Sequence, residues 1–283
     1  MPEYPRQVRV ELSSLCNSSC VFCHAHGDFL PMVRPKERMT IALFNQVLDD
    51  LESWPEPVEE LVPTAWGELF LNREWAWMLG EISRRLPKTG IQIVTTGSLL
   101  VPMTLERLAL VPTLKGINFS LNAFYTETWT KVHGLPAKGM QIAVEAVHAF
   151  RERRPDVKVN VSMVHQTDLQ TELEKDVFES YWKQFGPVTV SNASFAGNPK
   201  HLPDPPVVMS CRSLFDGLAV LANGNVGTGC CFWSGDAEEL SIGHFPEETL
   251  LSIWRGYRLQ QLTNLHNTGR RAEIDLCRRC TFA

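Results

Sequence analysis

Three cysteines stand close together near the start of the chain, in Leu12-Ser-Ser-Leu-Cys16-Asn-Ser-Ser-Cys20-Val-Phe-Cys23. Thiolates are soft ligands that suit iron–sulfur clusters or zinc. The spacing C-x3-C-x2-C lets one loop wrap three sulfurs around a single centre. A [4Fe–4S] cluster takes four cysteines, so three would leave one iron open to bind and activate a small molecule. Other readings compete. Cys20-Val-Phe-Cys23-His24 fits the C-x-x-C-H haem attachment pattern, although that pattern has no use for Cys16. Cys20 and Cys23 could share zinc with Cys277 and Cys280, across a gap far longer than that of zinc ribbons. Buried cysteines can also be small hydrophobes, but the Asn-Ser-Ser setting is polar.

Composition narrows the classes. The chain has 283 residues and a net charge of −5, against a nucleic-acid binder that works by bulk electrostatics. It has no apolar run of membrane-spanning length. Its start, Met-Pro-Glu-Tyr-Pro-Arg, shows no signal-peptide apolar region, so a cytoplasmic protein is expected. Eight cysteines in that setting point to metal or redox chemistry rather than disulfides. They fall in two groups, Cys16 to Cys23 and Cys211 to Cys280, which suggests two centres.

The elements that must position these groups alternate. Strands are expected at Val8–Leu12, Glu60–Thr64, Ile91–Thr95, Gly116–Leu121, Lys158–Val164 and Val188–Ser191. Helices are expected at Ile41–Leu51, Glu74–Arg85, Thr104–Leu110, Gln141–Arg151 and Leu169–Phe185. This is the pattern of a parallel sheet with βαβ crossovers, whose sites form at the C-terminal strand ends. The cysteine loop follows the first strand, and His165 ends the fifth, as an acid/base candidate. The Pro-rich break Gly197–Pro206 divides residues 1–205 from 206–283. Beyond it, Gly217 to Val226 reads as a hairpin turning at Asn223-Gly224, and Leu250 to Leu265 as one amphipathic helix. Cys211, one of the pair Cys230-Cys231, Cys277 and Cys280 supply four thiolates for a closed second centre. Structural zinc would also suit them.

The loop resembles the signature of the radical S-adenosylmethionine (radical SAM) enzymes, in which an asparagine often follows the first cysteine and an aromatic residue precedes the third. Asn17 and Phe22 hold those places. The resemblance implies a partial (β/α)6 barrel and a SAM-chelating [4Fe–4S] cluster on Cys16, Cys20 and Cys23. The family's Gly-Gly-Glu-Pro stretch, which binds the SAM amino group, is matched by Gly67 and Glu68 only; Trp66 and Leu69 depart from it. Its Thr-Asn-Gly and Ser-Leu-Asp stretches correspond to Thr95-Thr96-Gly97 and Ser120-Leu121-Asn122. Phe22, Thr95, Ser120 and Asn122 are therefore expected at the cofactor. The tail resembles the twitch domain, a short relative of SPASM, with a second [4Fe–4S] cluster. Cys230 is favoured over Cys231 as its ligand, because the family spaces the hairpin glycine and the next ligand as Gly-x4-Cys.

Among compact twitch-bearing members the layout is most similar to aminocyclitol dehydrogenases, which oxidise a secondary alcohol to a ketone. The resemblance implies an enzyme acting on a small polar molecule, fed electrons by a flavodoxin- or ferredoxin-type donor. Residues 191–196 after the sixth strand offer no ionisable side chain, so His165 would have to serve as base. The alternatives are an epimerase in which the spare thiol, Cys231, returns a hydrogen atom, a peptide-modifying enzyme, and a non-catalytic two-cluster electron carrier.

Overall fold

The computed structural model describes residues 2–23, 26, 36–192, 210–211, 213–229, 240–278 and 280. The break at 197–206, His24 and the Cys230-Cys231 pair lie outside them. Six strands, β1 (Gln7–Val10), β2 (Glu60–Val62), β3 (Gly90–Thr95), β4 (Leu114–Ser120), β5 (Lys158–His165) and β6 (Val188–Asn192), run parallel, each beside its chain neighbour. Between them lie helices α1 (Ile41–Glu52), α2 (Trp75–Arg85), α3 (Pro102–Ala109), α4 (Thr126–His133), α5 (Ala137–Arg153) and α6 (Glu172–Lys183). This winding is the partial barrel expected. It is open, with β6 and β1 unpaired to each other and the other edge of β1 taken by the tail.

The tail runs α7 (Ser213–Asp216), β7 (Gly217–Val220), β8 (Asn225–Thr228), β9 (Ser241–His244), α8 (Leu250–Trp254), α9 (Tyr257–Asn267) and α10 (Asp275–Arg278). Strand β7 pairs parallel with β1, from Gln7 opposite Gly217 to Val10 opposite Val220. The hairpin turns at Asn223-Gly224 as expected, and β8 then pairs antiparallel with β7 and β9. One sheet of nine strands therefore carries both halves of the chain.

Local chemistry explains these elements. Thr40 caps α1 by accepting from Leu43 N–H, and Phe44, Val47, Leu48 and Leu51 bury one face of it. Thr171 caps α6 in the same way. The helix expected over Leu250–Leu265 is two, because Gly256 caps a fresh start for α9, and glycine weakens a helix interior. Helix α4 was not expected. Thr126-Glu-Thr-Trp-Thr-Lys-Val-His133 holds only Trp129 and Val132 as large apolar groups, too few for a helical stripe. It ends at Gly134, whose φ of +63° needs no Cβ.

Alternation along the strands sets the two faces. On β5, Val159, Val161, Met163 and His165 are buried toward the helices, while Asn160, Ser162 and Val164 line the lumen. A cavity of about 550 Å³ in the lumen is bordered by Arg9, Gln92, Asn118, Asn160 and Thr189.

Candidate functional site

The cysteine loop leaves β1 and is held from three sides. Ser14 N–H donates to Glu37 O at 2.9 Å and Glu37 N–H to Ser14 Oγ at 2.7 Å. Ser19 and Val21 N–H donate to the His133 and Val132 carbonyls at the C-terminal end of α4, each at 2.9 Å. The loop following β2 closes the third side. Glu68 N–H donates to Leu15 O at 2.7 Å, and a Cβ on Gly67 would lie 2.3 Å from Ser13 O and 2.4 Å from Leu15 O. Only glycine permits that approach.

Cys16, Cys20 and Cys23 are all half-buried on this loop. Burial pushes the Cys20 thiol up to about 12 and the Cys16 thiol up as well, with Glu68 adding to the latter. A cationic cluster would reverse that by stabilising the thiolates. Ser18 N–H donates to Cys16 Sγ at 3.4 Å, and Ser18 Oγ lies 3.0 Å from Cys20 Sγ. Among the described residues no three His, Cys, Asp or Glu side chains converge as ligands of one ion would. A cubane does not require convergence, since each thiolate binds its own iron.

His133 is a site residue the sequence did not reveal. Burial holds its imidazolium down, to about 4, so the ring is neutral. Its Nε2–H donates to Leu121 O at 2.9 Å, which leaves the Nδ1 lone pair facing Cys20 Sγ at 3.2 Å.

Glu68 sits at the next position out, 3% exposed. Its Oε2 accepts from Thr95 Oγ1 at 2.9 Å and Thr96 N–H at 3.2 Å. Its Oε1 is buried without a partner. Burial, opposed by the Thr95 and Thr96 bonds, raises its carboxyl to about 7. A buried carboxylate with one unfilled oxygen fits an ammonium group, so Gly67 and Glu68 suit the amino end of SAM.

The other expected residues divide. Thr95 spends its hydroxyl on Glu68 and on Gly97 N–H, so it orients the carboxylate rather than facing a ligand. Asn122 is 1% exposed, with φ +56°; its Oδ1 accepts from Val164 N–H at 2.8 Å and its Nδ2 donates to Ser120 O at 3.1 Å. It ties β4 to β5, which is why its amide is not free for SAM. Ser120 stands on the lumen side, within 3.2 Å of Asn118 Nδ2, and Phe22 is half-exposed in the cluster loop. His165 is 1% exposed on the helix side of β5, 3.7 Å from Glu172, away from the lumen.

In the tail, Cys211, Cys277 and Cys280 are buried. Cys211 N–H donates to His266 Nδ1 at 3.1 Å, and burial, with the nearby Arg271 charge adding to it, lowers His266 to about 4. The Arg271 guanidinium, 1% exposed, donates to Cys277 O at 3.1 Å and Cys280 O at 3.0 Å. His266 and Arg271 thus link the three cysteines. Neither shows a motif; only the proximity of Arg271 to Cys277 hinted at it.

Residues 10–176 match the model of the radical SAM superfamily, and residues 211–281 that of SPASM, an iron–sulfur cluster-binding domain. No curated protein matches the chain. Among solved structures it is similar to BtrN in complex with AdoMet and 2-DOIA: TM-score 0.59, 17% identity, over 99% of this chain and 94% of that one. It is similar to SuiB from Streptococcus suis bound to S-adenosylmethionine, with TM-score 0.63 and 13% identity over 98% and 72% of the two chains. A third is anSMEcpe with bound AdoMet and Cp18Cys peptide, with TM-score 0.69 and 14% identity over 92% and 82%. At such identities the likeness is one of fold.

Proposed function

The chain belongs to the radical SAM superfamily, and from that premise we propose that it oxidises a secondary alcohol of a small aminocyclitol or sugar-like molecule to a ketone. The observation that carries this reading is the chemistry of the lumen. Asn160 Nδ2 donates to Asn118 Oδ1, Asn118 Nδ2 to Ser162 Oγ at 2.9 Å, and Thr189 Oγ1 to Asn160 Oδ1 at 3.3 Å. These are neutral donors and acceptors in a continuous ladder across β4, β5 and β6. With Arg9, Glu60 and Lys158 also bordering the cavity, the lining is rich in polar groups at this end of the lumen and suits a small hydroxyl- or amino-bearing molecule better than an extended apolar chain.

When bound, the first cluster and SAM supply a 5′-deoxyadenosyl radical, and the tail cluster supplies an acceptor for the electron left on the substrate. Converting a carbinol to a ketone removes a hydrogen atom, a proton and an electron. The hydroxyl of a carbon-centred radical is far more acidic than an alcohol, so a lumen water suffices for the proton and His165 is not needed. In this reading Cys16, Cys20 and Cys23 hold the first cluster. Cys211, Cys277, Cys280 and one of the 230–231 pair hold the second. A flavodoxin- or ferredoxin-type protein is the reductant.

The test is anaerobic turnover of reduced, iron-loaded protein with SAM and a panel of aminocyclitols. The expected result is 5′-deoxyadenosine and a ketone two hydrogens lighter, in equal amounts. In deuterated water the product carbon should gain no deuterium. Deuterium on an inverted carbon would instead make the enzyme an epimerase with a thiol donor such as Cys231, and turnover of peptides alone would overturn the small-molecule reading.

A further inference from the structure

A chain of hydrogen bonds runs from the cluster loop to Glu68. Asn17 Nδ2 donates to Ser98 Oγ at 3.0 Å, Ser98 Oγ lies 2.8 Å from Thr96 Oγ1, and Thr96 Oγ1 donates to Glu68 Oε2 at 3.5 Å. Its polarity is fixed at one end. Glu68 Oε2 accepts, because the Thr96 N–H can only donate to it. With the Thr96 hydroxyl donating to Glu68, its oxygen accepts from Ser98 O–H, as it does from Ser98 N–H at 3.4 Å. Ser98 Oγ in turn accepts from Asn17 Nδ2, and this direction of the relay agrees with the way the Asn17 amide points. The amide nitrogen faces Ser98 and the carbonyl oxygen faces away.

That carbonyl oxygen, Asn17 Oδ1, is buried and has no partner, and neither has Glu68 Oε1 at the other end of the chain. Buried acceptors without donors are costly and uncommon. Here two of them terminate one network, beside the loop that carries Cys16. Both require a donor, and a ligand group with two N–H bonds can answer both at once. A carboxylate or a thioether offers none.

We propose that Asn17 is a second acceptor for the amino group of SAM, held in the accepting orientation by the Ser98–Thr96 relay from Glu68. This rests on the assignment of Glu68 to the same group. The relay also makes the two ends interdependent, since hydrogen bonds in series polarise one another. Ser98 and Thr96 are positioning residues and touch no ligand.

The test measures SAM binding by equilibrium dialysis on iron-loaded protein, with iron content determined for every variant. The probes are SAM and its desamino counterpart, in which hydrogen replaces the amino group. Asn17→Ala should weaken SAM binding by about tenfold and leave the weaker binding of the desamino compound unchanged. Ser98→Ala, outside the cluster loop, should weaken SAM by less, and the double variant should be no weaker than Asn17→Ala alone. An Asn17→Ala protein that binds SAM within twofold of wild type, or loses both ligands equally, overturns the proposal. If Asn17→Ala fails to load iron, Ser98→Ala decides: unchanged SAM affinity overturns it, and a loss confined to SAM supports it. Glu68→Gln separates the two assignments. Loss of SAM binding there, with none in Asn17→Ala, would sink the role of Asn17 and leave that of Glu68 standing.

Discussion

Burial raises the Glu68 carboxyl from 4.5 to about 7. Between those values the unfolded chain has released a proton that the folded chain keeps, so stability falls as pH rises through the window. The effect is complete above about 7 and amounts to about 3 kcal/mol. Metal-free wild type should therefore lose about that much more stability between pH 4.5 and pH 8 than Glu68→Gln, by urea unfolding. Parallel pH profiles for the two would rule this out. Arg271 makes a second residue-level prediction. Its guanidinium holds the Cys277 and Cys280 carbonyls in a buried setting. Arg271→Met should cost the tail its iron, roughly half of the eight atoms that two four-iron clusters hold, while SAM cleavage at the first cluster persists. An unchanged iron content would remove Arg271 from that role. The cysteines and the Gly67-Glu68 pair stood out in the sequence as candidates because cluster and amino-group chemistry demand particular residue types at fixed spacing. His133 and Ser98 did not, because they act on Cys20 and Asn17, far away in the chain; Arg271 lies close to Cys277 and Cys280 but belongs to no motif. Asn122 illustrates the converse: its place in a motif-like stretch suggested a ligand role, but its side chain bonds Val164 and Ser120.

At the scale of elements, the loop after β2 that carries Gly67 and Glu68 and the cysteine loop after β1 behave as one unit. Gly67 lies so close to Ser13, Ser14 and Leu15 that a methyl group would overlap backbone atoms, none of which can turn aside. Gly67→Ala should separate the loops, lowering stability by about 1–3 kcal/mol and SAM affinity far more. Thermal unfolding with and without SAM reads both, and a variant that SAM stabilises as well as it does wild type would contradict the coupling. Five of the expected helices and all six expected barrel strands appear, with ends shifted by a few residues. Alternation and amphipathic spacing are strong over those stretches. Helix α4 escaped because three threonines and two apolar residues carry no clear period. Yet it is α4 that presents His133 to the cluster loop, so a functionally placed element was the least visible one. His165 shows the same limit at finer grain. Its position at a strand end was readable, but which face of β5 it occupies depends on register, and register puts it with Val161 and Met163.

Across the whole molecule, tail and barrel share a sheet and a core. Strand β7 covers the edge of β1, whose Val8 and Val10 are fully buried. Glu11, also fully buried, accepts from Trp66 N–H at 3.2 Å with one oxygen and from Ala222 N–H at 2.9 Å with the other. One carboxylate thus joins the end of the first strand, the loop after β2 and the tail hairpin. Farther out, Leu250 N–H donates to Asp50 Oδ2 at 3.1 Å, and the buried Trp254 donates to Pro2 O at 3.1 Å. The Pro-rich stretch marks a change in architecture in the sequence, but pairing between β1 and β7, some 210 residues apart, leaves no local trace. A barrel without its tail would expose the backbone edge of Gln7–Val10 and the apolar groups beneath it. A chain ended after residue 205 should therefore aggregate, and the full chain should unfold in one transition whether followed by tryptophan fluorescence or by circular dichroism. Glu11→Gln offers a milder version. Both partners are N–H donors, so the amide nitrogen of glutamine meets a donor and one bond becomes a repulsion, lowering stability by about 1–3 kcal/mol. If residues 1–205 alone remained monomeric by size-exclusion chromatography, loaded four irons and bound SAM, the barrel would be autonomous and this dependence on the tail would be wrong.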